Sequence, residues 1–184
     1  MKFDYTNMPN GASKFNFTIR YLFNILRTWY LFHIRYPWVK YNGFVRVMKG
    51  TSFAQNMDVQ IGNNVQFGDY CNIACNVHFG NNILMAGKVS FVGKHDHTFD
   101  TPGKTIWQGK RGDNGTTIIE DDVWIGTGAI IMSGLKIGKG SIIAAGSIVT
   151  KNIGCCEIWG GNPAKKIKDR FNETEKQYHL NHIK

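Results

Sequence analysis

A spacing of six residues between large apolar side chains restricts the fold of this chain more than any other feature of its sequence. The spacing runs through two segments, 61–91 and 119–149, and a second apolar or small residue stands two positions ahead of most of these side chains. A helix repeats every 3.6 residues and a long strand every two, so neither produces this pattern. It predicts short strands joined by corners, three strands to a coil, stacked so that the inward side chains form a solid core. The two series are Ile61, Phe67, Ile73, Phe79, Met85 and Phe91, and Ile119, Ile125, Ile131, Ile137, Ile143 and Val149.

The register of this repeat is interrupted once, between Phe91 and Ile119. These residues are 28 positions apart, which is not a multiple of six. The segment 93–117 is therefore predicted to leave the wall of the coil as a loop, and long loops in compact domains are commonly functional. It begins with the histidines His95 and His97 on either side of Asp96, which makes it the first candidate for an active site.

The N-terminal part of the chain, residues 1–44, is predicted to be a basic helical arm. Residues 1–50 hold eight Lys or Arg and one acid, whereas the rest of the chain has a net charge of only +2. Residues 14–37 are typical of a helix that ends before Pro37, and arginines interrupt any apolar run of about 20 residues, the length needed to span a bilayer. The helix packs on its own protein, joins a partner helix, or lies peripherally on the cytoplasmic face of the inner membrane, and packing is the default. The repeat region has no continuous basic stripe, so nucleic-acid binding is not expected.

The four cysteines indicate a reducing compartment. Cys71 and Cys75 are separated by three residues and Cys155 and Cys156 are adjacent, and neither spacing matches a common zinc or redox motif. Adjacent cysteines rarely form a disulfide with each other because the geometry is strained. Together with a start that has no signal-peptide apolar region, this predicts free thiols and a cytoplasmic location.

Residues 45–170 resemble the hexapeptide-repeat acetyltransferases, a family that includes galactoside, maltose, serine and xenobiotic acetyltransferases. The resemblance is carried by the repeat, the histidine-bearing loop, "IIEDDVWIGTGAIIMSGLKIGKGSIIAAGSIVTKNI" (118–153) and "WGGNPAKKI" (159–167). Within the family the chain is most similar to the O-acetyltransferases of polysaccharide synthesis, which modify O-antigen, capsule or exopolysaccharide sugars. The resemblance implies an all-β fold, a left-handed parallel β-helix of about five coils. It would span residues 45–169, between the helical arm and a short C-terminal helix within 170–184.

The resemblance also implies a homotrimer, acetyl-CoA as the donor, and active sites between neighbouring subunits. A histidine of the loop would act as general base, and His97 is preferred over His95. Asp96-His97 is closer to the pattern of the family, and Lys94 beside His95 disfavours a further positive charge. Asp96 either orients the base or caps a turn. By the same resemblance, the residues that would contact CoA are Trp124, Thr127, Ala145, Thr150, Lys151, Lys165 and Lys168.

The sequence therefore predicts an acetyltransferase that moves an acetyl group to a sugar hydroxyl by direct attack, without a metal. A neutral histidine suits this chemistry because its reference pKa is near neutrality. Two alternatives remain at this stage. One is a zinc enzyme resembling β-helical carbonic anhydrases, with His78, His95 and His97 as ligands, and the other is a non-catalytic β-helical scaffold. The acceptor sugar, and the choice between O- and N-acetylation, stay open.

Overall fold

The computed structural model describes Tyr5, Met8 and residues 10–183. Most of the first nine residues of the predicted basic arm, and residue 184 at the end of the predicted C-terminal segment, lie outside the described residues. Helix α1 (Lys14–Tyr30) continues as one π-helical turn (Leu31–Arg35), which confirms the helix predicted over 14–37. No helix in the described part of the chain is long and apolar enough to cross a bilayer.

The rest of the chain winds into a parallel β-helix with three flat faces. Face 1 contains β1 (Val39–Tyr41), β4 (Val59–Ile61), β7 (Val77–Phe79), β10 (Thr117–Ile119) and β13 (Lys136–Ile137). Face 2 contains β2 (Val45–Val47), β5 (Val65–Phe67), β8 (Ile83–Met85), β11 (Trp124–Ile125), β14 (Ile142–Ile143), β16 (Glu157–Gly160) and β17 (Lys165–Asp169). Face 3 contains β3 (Ser52–Phe53), β6 (Asn72–Ile73), β9 (Ser90–Val92), β12 (Ile130–Met132) and β15 (Ile148–Val149).

Each coil takes one strand from each face and stacks on the coil before it. Strands β1 to β15 form five complete coils, and β16 begins a sixth turn that β17 closes as an antiparallel strand. The prediction of about five coils is confirmed. The predicted boundary between arm and β-helix at residues 44 and 45 is wrong, however, because β1 already pairs with β4 through Val39 and Val59.

The core is the continuous column of inward side chains that the six-residue spacing predicts. All twelve large apolar positions of the two series are buried, with at most 4% of their surface exposed. Four phenylalanines, Phe53, Phe67, Phe79 and Phe91, run through the first three coils with successive ring centroids 5.3 to 5.4 Å apart in edge-to-face contact. Such aromatic pairs stabilise a fold beyond the area that they bury.

The spacing of equivalent residues at the corner between faces 1 and 2 shows that the loop is inserted without changing the register of the strands. Asn64, Asn82, Asp122 and Gly140 occupy equivalent left-handed positions there, with φ between 56° and 75°. Asn82 donates its backbone N–H to Asn63, and Asp122 likewise to Asn81, in the coil below. Adjacent members are 18 residues apart except Asn82 and Asp122, which are 40 apart. The loop therefore adds 22 residues to one coil while the strands on either side of it keep their register.

Both helices are tied to the β-helix by polar contacts. In α1, Asn24 Nδ2 and Thr28 Oγ1 donate to the carbonyl oxygen of Val45 on β2, over 2.9 and 2.7 Å. The predicted C-terminal helix is confirmed as α2 (Glu173–His182). Its His179, together with the preceding Arg170, reaches the carboxylate of Asp122 over 2.9 and 2.7 Å. The last turn is thereby held against the corner between faces 1 and 2.

Truncation inside the aromatic column should destabilise the fold far more than the same change on the surface. Phe79 is 4% exposed and contacts two other rings, so Phe79→Ala is expected to lower the free energy of unfolding by about 3–5 kcal/mol. Phe15→Ala, at a side chain that is 72% exposed, is the matched control and should change it by less than about 0.5 kcal/mol. Thermal unfolding at equal protein concentration measures both, and similar midpoints for the two variants would contradict this account of the core.

Candidate active site

The inserted loop is folded, and hydrogen bonds join its two segments near the base. Its outgoing and returning segments are joined by the N–H of Thr98 to the carbonyl of Lys110 and by the N–H of Gly112 to the carbonyl of His95, both over 2.8 Å. A short 3₁₀ turn (Ile106–Gln108) lies near the tip. The predicted loop ends one residue too late, because Thr117 is fully buried as the first inward residue of β10.

A network of polar side chains holds the root of the loop to the next coil. Asn114 Oδ1 accepts the N–H of His95 over 2.6 Å and the hydroxyl of Ser133 over 3.2 Å. Its amide nitrogen donates to the carboxylate of Asp96 over 3.0 Å, and the hydroxyl of Ser133 accepts the N–H of Lys94 over 2.8 Å. Because Ser133 belongs to the coil wall, this network fixes the backbone of the histidine-bearing segment relative to the β-helix.

The predicted catalytic residues lie at this root and face solvent. His95, Asp96 and His97 are all exposed, and neither imidazole has a hydrogen-bond partner within the described residues. The carboxylate of Asp96 hydrogen-bonds Asn114 and neither histidine. In this single chain Asp96 therefore secures the loop, and both imidazoles are available to a ligand or to another subunit.

The tip of the loop is apolar and uncovered. Phe99, Ile106 and Trp107 are 79%, 64% and 90% exposed. Exposed apolar clusters of this kind mark contact sites more often than free surface. The loop thus extends from the β-helix with its exposed apolar residues at the tip and its histidines at the root.

The predicted CoA-binding residues fall into two groups, and the larger lies along face 2. Trp124 points outward from this face and is 54% exposed. The strand register aligns it with Ile142, Ile158 and then Lys168, one strand after another. With neighbouring strands about 4.8 Å apart, the row from Trp124 to Lys168 is about 14 Å long. It leads from an indole ring to a lysine at the end of the sheet.

The edge between faces 2 and 3 continues this first group. The N–H of Gly146 donates to the carbonyl of Thr127 over 2.8 Å, so Thr127 and Ala145 lie in successive coils at the same corner. A Cβ atom on Gly126 would collide with the backbone of Ala145, so the absence of a side chain permits this close stacking. The result is a narrow corner of small residues that leaves backbone groups accessible.

The second group, Thr150 and Lys151, lies at the opposite edge of face 3. These residues follow β15, at the corner where faces 3 and 1 meet. The loop histidines follow β9 at that same corner, two coils earlier. Ala145 lies in the turn before face 3 and Thr150 follows β15, so the width of face 3 separates the two. Within one chain, therefore, the histidines and most of the predicted CoA-binding residues occupy different edges of the prism.

Two lysines of β17 remain available for an anionic ligand. Lys166 is paired with Glu157 and Asp169 over 3.0 and 2.8 Å, and these hydrogen bonds raise its pKa above the usual value. Lys165 and Lys168 are exposed and have no ion-pair partner among the described residues. Two uncompensated cations thus stand beside the outward row of face 2, where phosphate groups would be attracted.

The cysteines are free thiols, as predicted, and three of them are unsuited to nucleophilic catalysis. Burial raises the pKa of Cys75 to about 11 and also raises the pKa of Cys71 and Cys156 above the usual value. Since the thiolate is the nucleophile, these thiols are unreactive near neutral pH. Cys71 is 1% exposed in the inward column, where it serves as a small core residue.

The geometry within one chain offers no zinc site. Among the described residues, no group of three or more His, Cys, Asp or Glu side chains is arranged to hold a metal ion. His78, a ligand in the zinc alternative, points outward from face 1, and its Nε2 lies 2.7 Å from the carboxylate of Asp58. The hydrogen bond from His78 is the main reason that the pKa of Asp58 lies below its usual value.

Two surface cavities of about 450 Å³ are present, and neither contains the loop histidines. One opens between α1 and face 2, where its lining includes the stacked rings of Tyr21 and Phe44 together with Arg46 and Gln66. The other lies on face 1 beside His78.

Comparisons with known proteins identify the repeat. Residues 116–151 match the family described as "Bacterial transferase hexapeptide (six repeats)". A chloramphenicol acetyltransferase of Klebsiella aerogenes is 54% identical over 61 residues, which are 33% of this chain and 29% of that protein. The similarity to this family covers that segment of the chain and not the whole of it. The chain's match to this curated relative spans less than a third of the relative's length.

Two solved structures share both the fold and a part of the sequence. The polySia-specific acetyltransferase NeuO is 27% identical with a TM-score of 0.57, over 79% of each chain. A maltose O-acetyltransferase of Clostridium difficile 630 is 27% identical with a TM-score of 0.51, over 73% of this chain and 67% of the other. Each of these proteins is named for the transfer of an acetyl group.

Sequence reasoning did not identify the residues that hold the loop. Asn114 and Ser133 are 19 positions apart and meet only because the coils stack. The one available signal is local. Asn114 precedes Gly115, which has a φ of 61°, and such an Asn-Gly pair indicates a turn where the loop returns to the wall.

Loss of the amide of Asn114 should loosen the root of the loop. Asn114→Ala removes three hydrogen bonds at once, so trypsin is expected to cut faster at Lys104, Lys110 and Arg111 in the loop. Asn152→Ala is the matched control, because Asn152 accepts one backbone N–H, that of Lys136, at the corresponding corner of the last complete coil. Mass spectrometry measures the cleavage rates. Equal rates in wild type and Asn114→Ala would show that the network does not hold the loop.

Proposed function

We propose that the protein is an acetyl-CoA-dependent acetyltransferase that transfers the acetyl group to a sugar hydroxyl. The observation that carries the proposal is the histidine-bearing loop root, which is fixed to the coil wall by Asn114 and Ser133 while both imidazoles stay exposed. A general base needs both properties, a fixed backbone and an accessible ring. The match of residues 116–151 to a transferase family, and the acetyltransferase names of the similar proteins, support the same reaction.

In the proposed reaction the acceptor hydroxyl attacks the carbonyl carbon of the thioester directly. His97, or His95 in the second choice, would take the hydroxyl proton as the new C–O bond forms. The C–S bond then breaks, and the departing thiolate recovers that proton from the imidazolium. General-base assistance of this kind contributes about 10²–10⁴-fold to the rate. The high pKa values of the buried cysteines are consistent with a path that forms no acyl-enzyme on them.

The proposed path of CoA follows the edge between faces 2 and 3. Its pantetheine arm would pass the small corner formed by Thr127 and Ala145, beside the ring of Trp124. The exposed cations Lys165 and Lys168 at the end of face 2 would meet the phosphate groups. Thr150 and Lys151 lie on the far edge of face 3, so we assign them to the CoA bound by the neighbouring subunit.

The proposed enzyme is a homotrimer in which each site is shared by two chains. The loop histidines and the proposed CoA groove occupy different edges of one β-helix, separated by the width of face 3. A neighbouring β-helix packed side by side would bring the loop of one chain over the groove of the next. The exposed apolar tip, with Trp107 at 90% exposure, is suited to such a contact.

The proposed acceptor is a sugar or glycan precursor in the cytoplasm. A maltose O-acetyltransferase and a polySia-specific acetyltransferase are among the proteins of similar structure, and they support this choice. Four free thiols agree with a reducing compartment. Contact of α1 with the cytoplasmic face of the inner membrane is a separate proposal, and it depends on the exposed surface of that helix.

The pair of histidine substitutions tests the mechanism. His97→Ala is expected to lower kcat by at least about 10²-fold while acetyl-CoA affinity, measured by calorimetry, is retained. His95→Ala serves as the matched control, because it removes an equally exposed imidazole two residues away. Normal turnover in His97→Ala with loss in His95→Ala would reverse the assignment, and normal turnover in both would exclude a histidine base.

Complementation between chains tests the shared site. His97→Ala and Lys168→Glu chains should each be impaired, the first in turnover and the second in CoA affinity. Refolded together, they should regain activity, because a mixed trimer contains an interface with an intact loop on one side and an intact groove on the other. Sedimentation gives the number of chains. A mixture that remains as inactive as its parents would place both residues in a site within one chain, and a stable monomer would exclude sharing altogether.

A further inference from the structure

Helix α1 is attached to the β-helix by the side that carries Asn24 and Thr28. Asn24 and Thr28 are 8% and 3% exposed, and both donate to the carbonyl of Val45. Of the most deeply buried side chains of this segment, only Phe32 of the π-helical turn is a large apolar one. Packing on its own protein, the default expectation for an amphipathic helix, therefore uses the opposite side from the one that the hydrophobic pattern suggests.

The apolar side of α1 and its π-helical extension faces outward. Eight large side chains on it are between 43% and 72% exposed. In a soluble protein of this size such a surface is unusual, and large exposed patches mark interaction sites. The two hydrogen bonds to Val45 fix the rotation of the helix, so the exposure follows from specific contacts. The eight residues, here named the α1 patch, are Phe15, Ile19, Leu22, Phe23, Leu26, Trp29, Tyr30 and Ile34.

The charged residues of α1 itself are all basic. Arg20 and Arg27 are seven residues apart, so they follow one border of the patch. No acidic residue occurs between Tyr5 and Met57, which includes the whole helix. The surface that meets this helix must therefore be apolar in its interior and negative at its boundary.

The width and composition of the α1 patch favour a flat surface over a second helix. Phe15, Ile19, Leu22, Leu26 and Trp29 alternate by four and three residues, as in the seam of a coiled coil. Phe23, Tyr30 and Ile34 extend the patch to one side of that seam, beyond what a single partner helix covers. Aromatic rings with basic neighbours are typical of helices that lie in the interface of an anionic bilayer.

We propose that the α1 patch docks the protein on an anionic phospholipid surface, with α1 parallel to the bilayer plane. The apolar side chains enter the boundary between headgroups and acyl chains, and Arg20 and Arg27 remain at the level of the lipid phosphates. The β-helix, attached through Asn24 and Thr28 on the opposite side of the helix, stays in the water phase. The proposal does not depend on the acetyl-transfer reaction and would hold for any activity of the β-helix.

A second copy of the chain is the competing occupant of the α1 patch. Two α1 helices packed together would bring their arginines close to one another with no acidic partner on either helix. Like charges of this kind oppose association. An anionic bilayer instead provides the missing negative charge, which is why it is the occupant that the helix favours.

Vesicle binding by the full-length protein tests the proposal. Wild type is expected to float with vesicles of phosphatidylcholine containing 30% phosphatidylglycerol, and at least tenfold less with pure phosphatidylcholine, since about 1 kcal/mol is gained per basic residue near an anionic surface. Phe23→Ser/Leu26→Ser should lose binding by at least tenfold at unchanged charge. Arg20→Gln/Arg27→Gln should also weaken binding, and high salt should affect wild type more than this variant.

Matched controls distinguish vesicle binding by the α1 patch from a general effect of exposed apolar or basic side chains. Ile167→Ser/Tyr178→Ser removes two similarly exposed large side chains outside α1, and Lys104→Gln/Lys110→Gln removes two loop cations. Both should bind vesicles as wild type does. Sedimentation without lipid is run on every variant. If Phe23→Ser/Leu26→Ser reduces the number of chains per particle, or if wild type ignores anionic vesicles, the α1 patch is not a lipid-docking surface. Acetyl-CoA affinity, measured in parallel, reports separately on the proposed function.

Discussion

The stacking of one coil on the next is the constraint on which the rest of the structure depends. Each inward side chain contacts its equivalents above and below, so the column from Val47 to Val149 is a single core. A one-residue change of register in a strand would turn the inward side chains of that strand toward solvent. Variation is therefore confined to places that do not interrupt the column, which are the corners, the outward rows and the inserted loop. All candidate site residues of this protein lie in those three places.

The sequence predicts this column well because its period is nearly constant. The prediction fails at the start of the β-helix because it relies on a constant period. Val39 pairs with Val59 and Ser52 with Asn72, each 20 residues away, whereas Val59 pairs with Val77, 18 residues away. The first coil is two residues longer than the next, so its strands fall outside the six-residue spacing. A strict six-residue spacing therefore predicts a coil only where the corners between its strands have the usual length.

Other features were beyond sequence reasoning because they depend on distances across coils. Asn114, Ser133 and Asp96 form one network although no local pattern links them. The orientation of α1 is a stronger case. Its periodicity correctly predicts a helix with an apolar side, but periodicity does not state which side is attached. Two hydrogen bonds to Val45 decide that, and they overrule the hydrophobic pattern. The loop, by contrast, was predictable because it breaks a period that is otherwise kept.

A rigid prism with flat faces is a poor enclosure for a reaction, and this explains the arrangement of the candidate site. Outward side chains of a parallel sheet stand side by side in rows and cannot converge on one point. Trp124, Ile142 and Lys168 form such a row, which can line an extended ligand but cannot surround its reacting end. A general base must therefore come from outside the face, on a loop whose root is held to the coil wall by polar side chains. Since the loop of each chain leaves from the edge opposite the proposed CoA groove of that chain, the proposed site is most simply completed by the groove of a second chain.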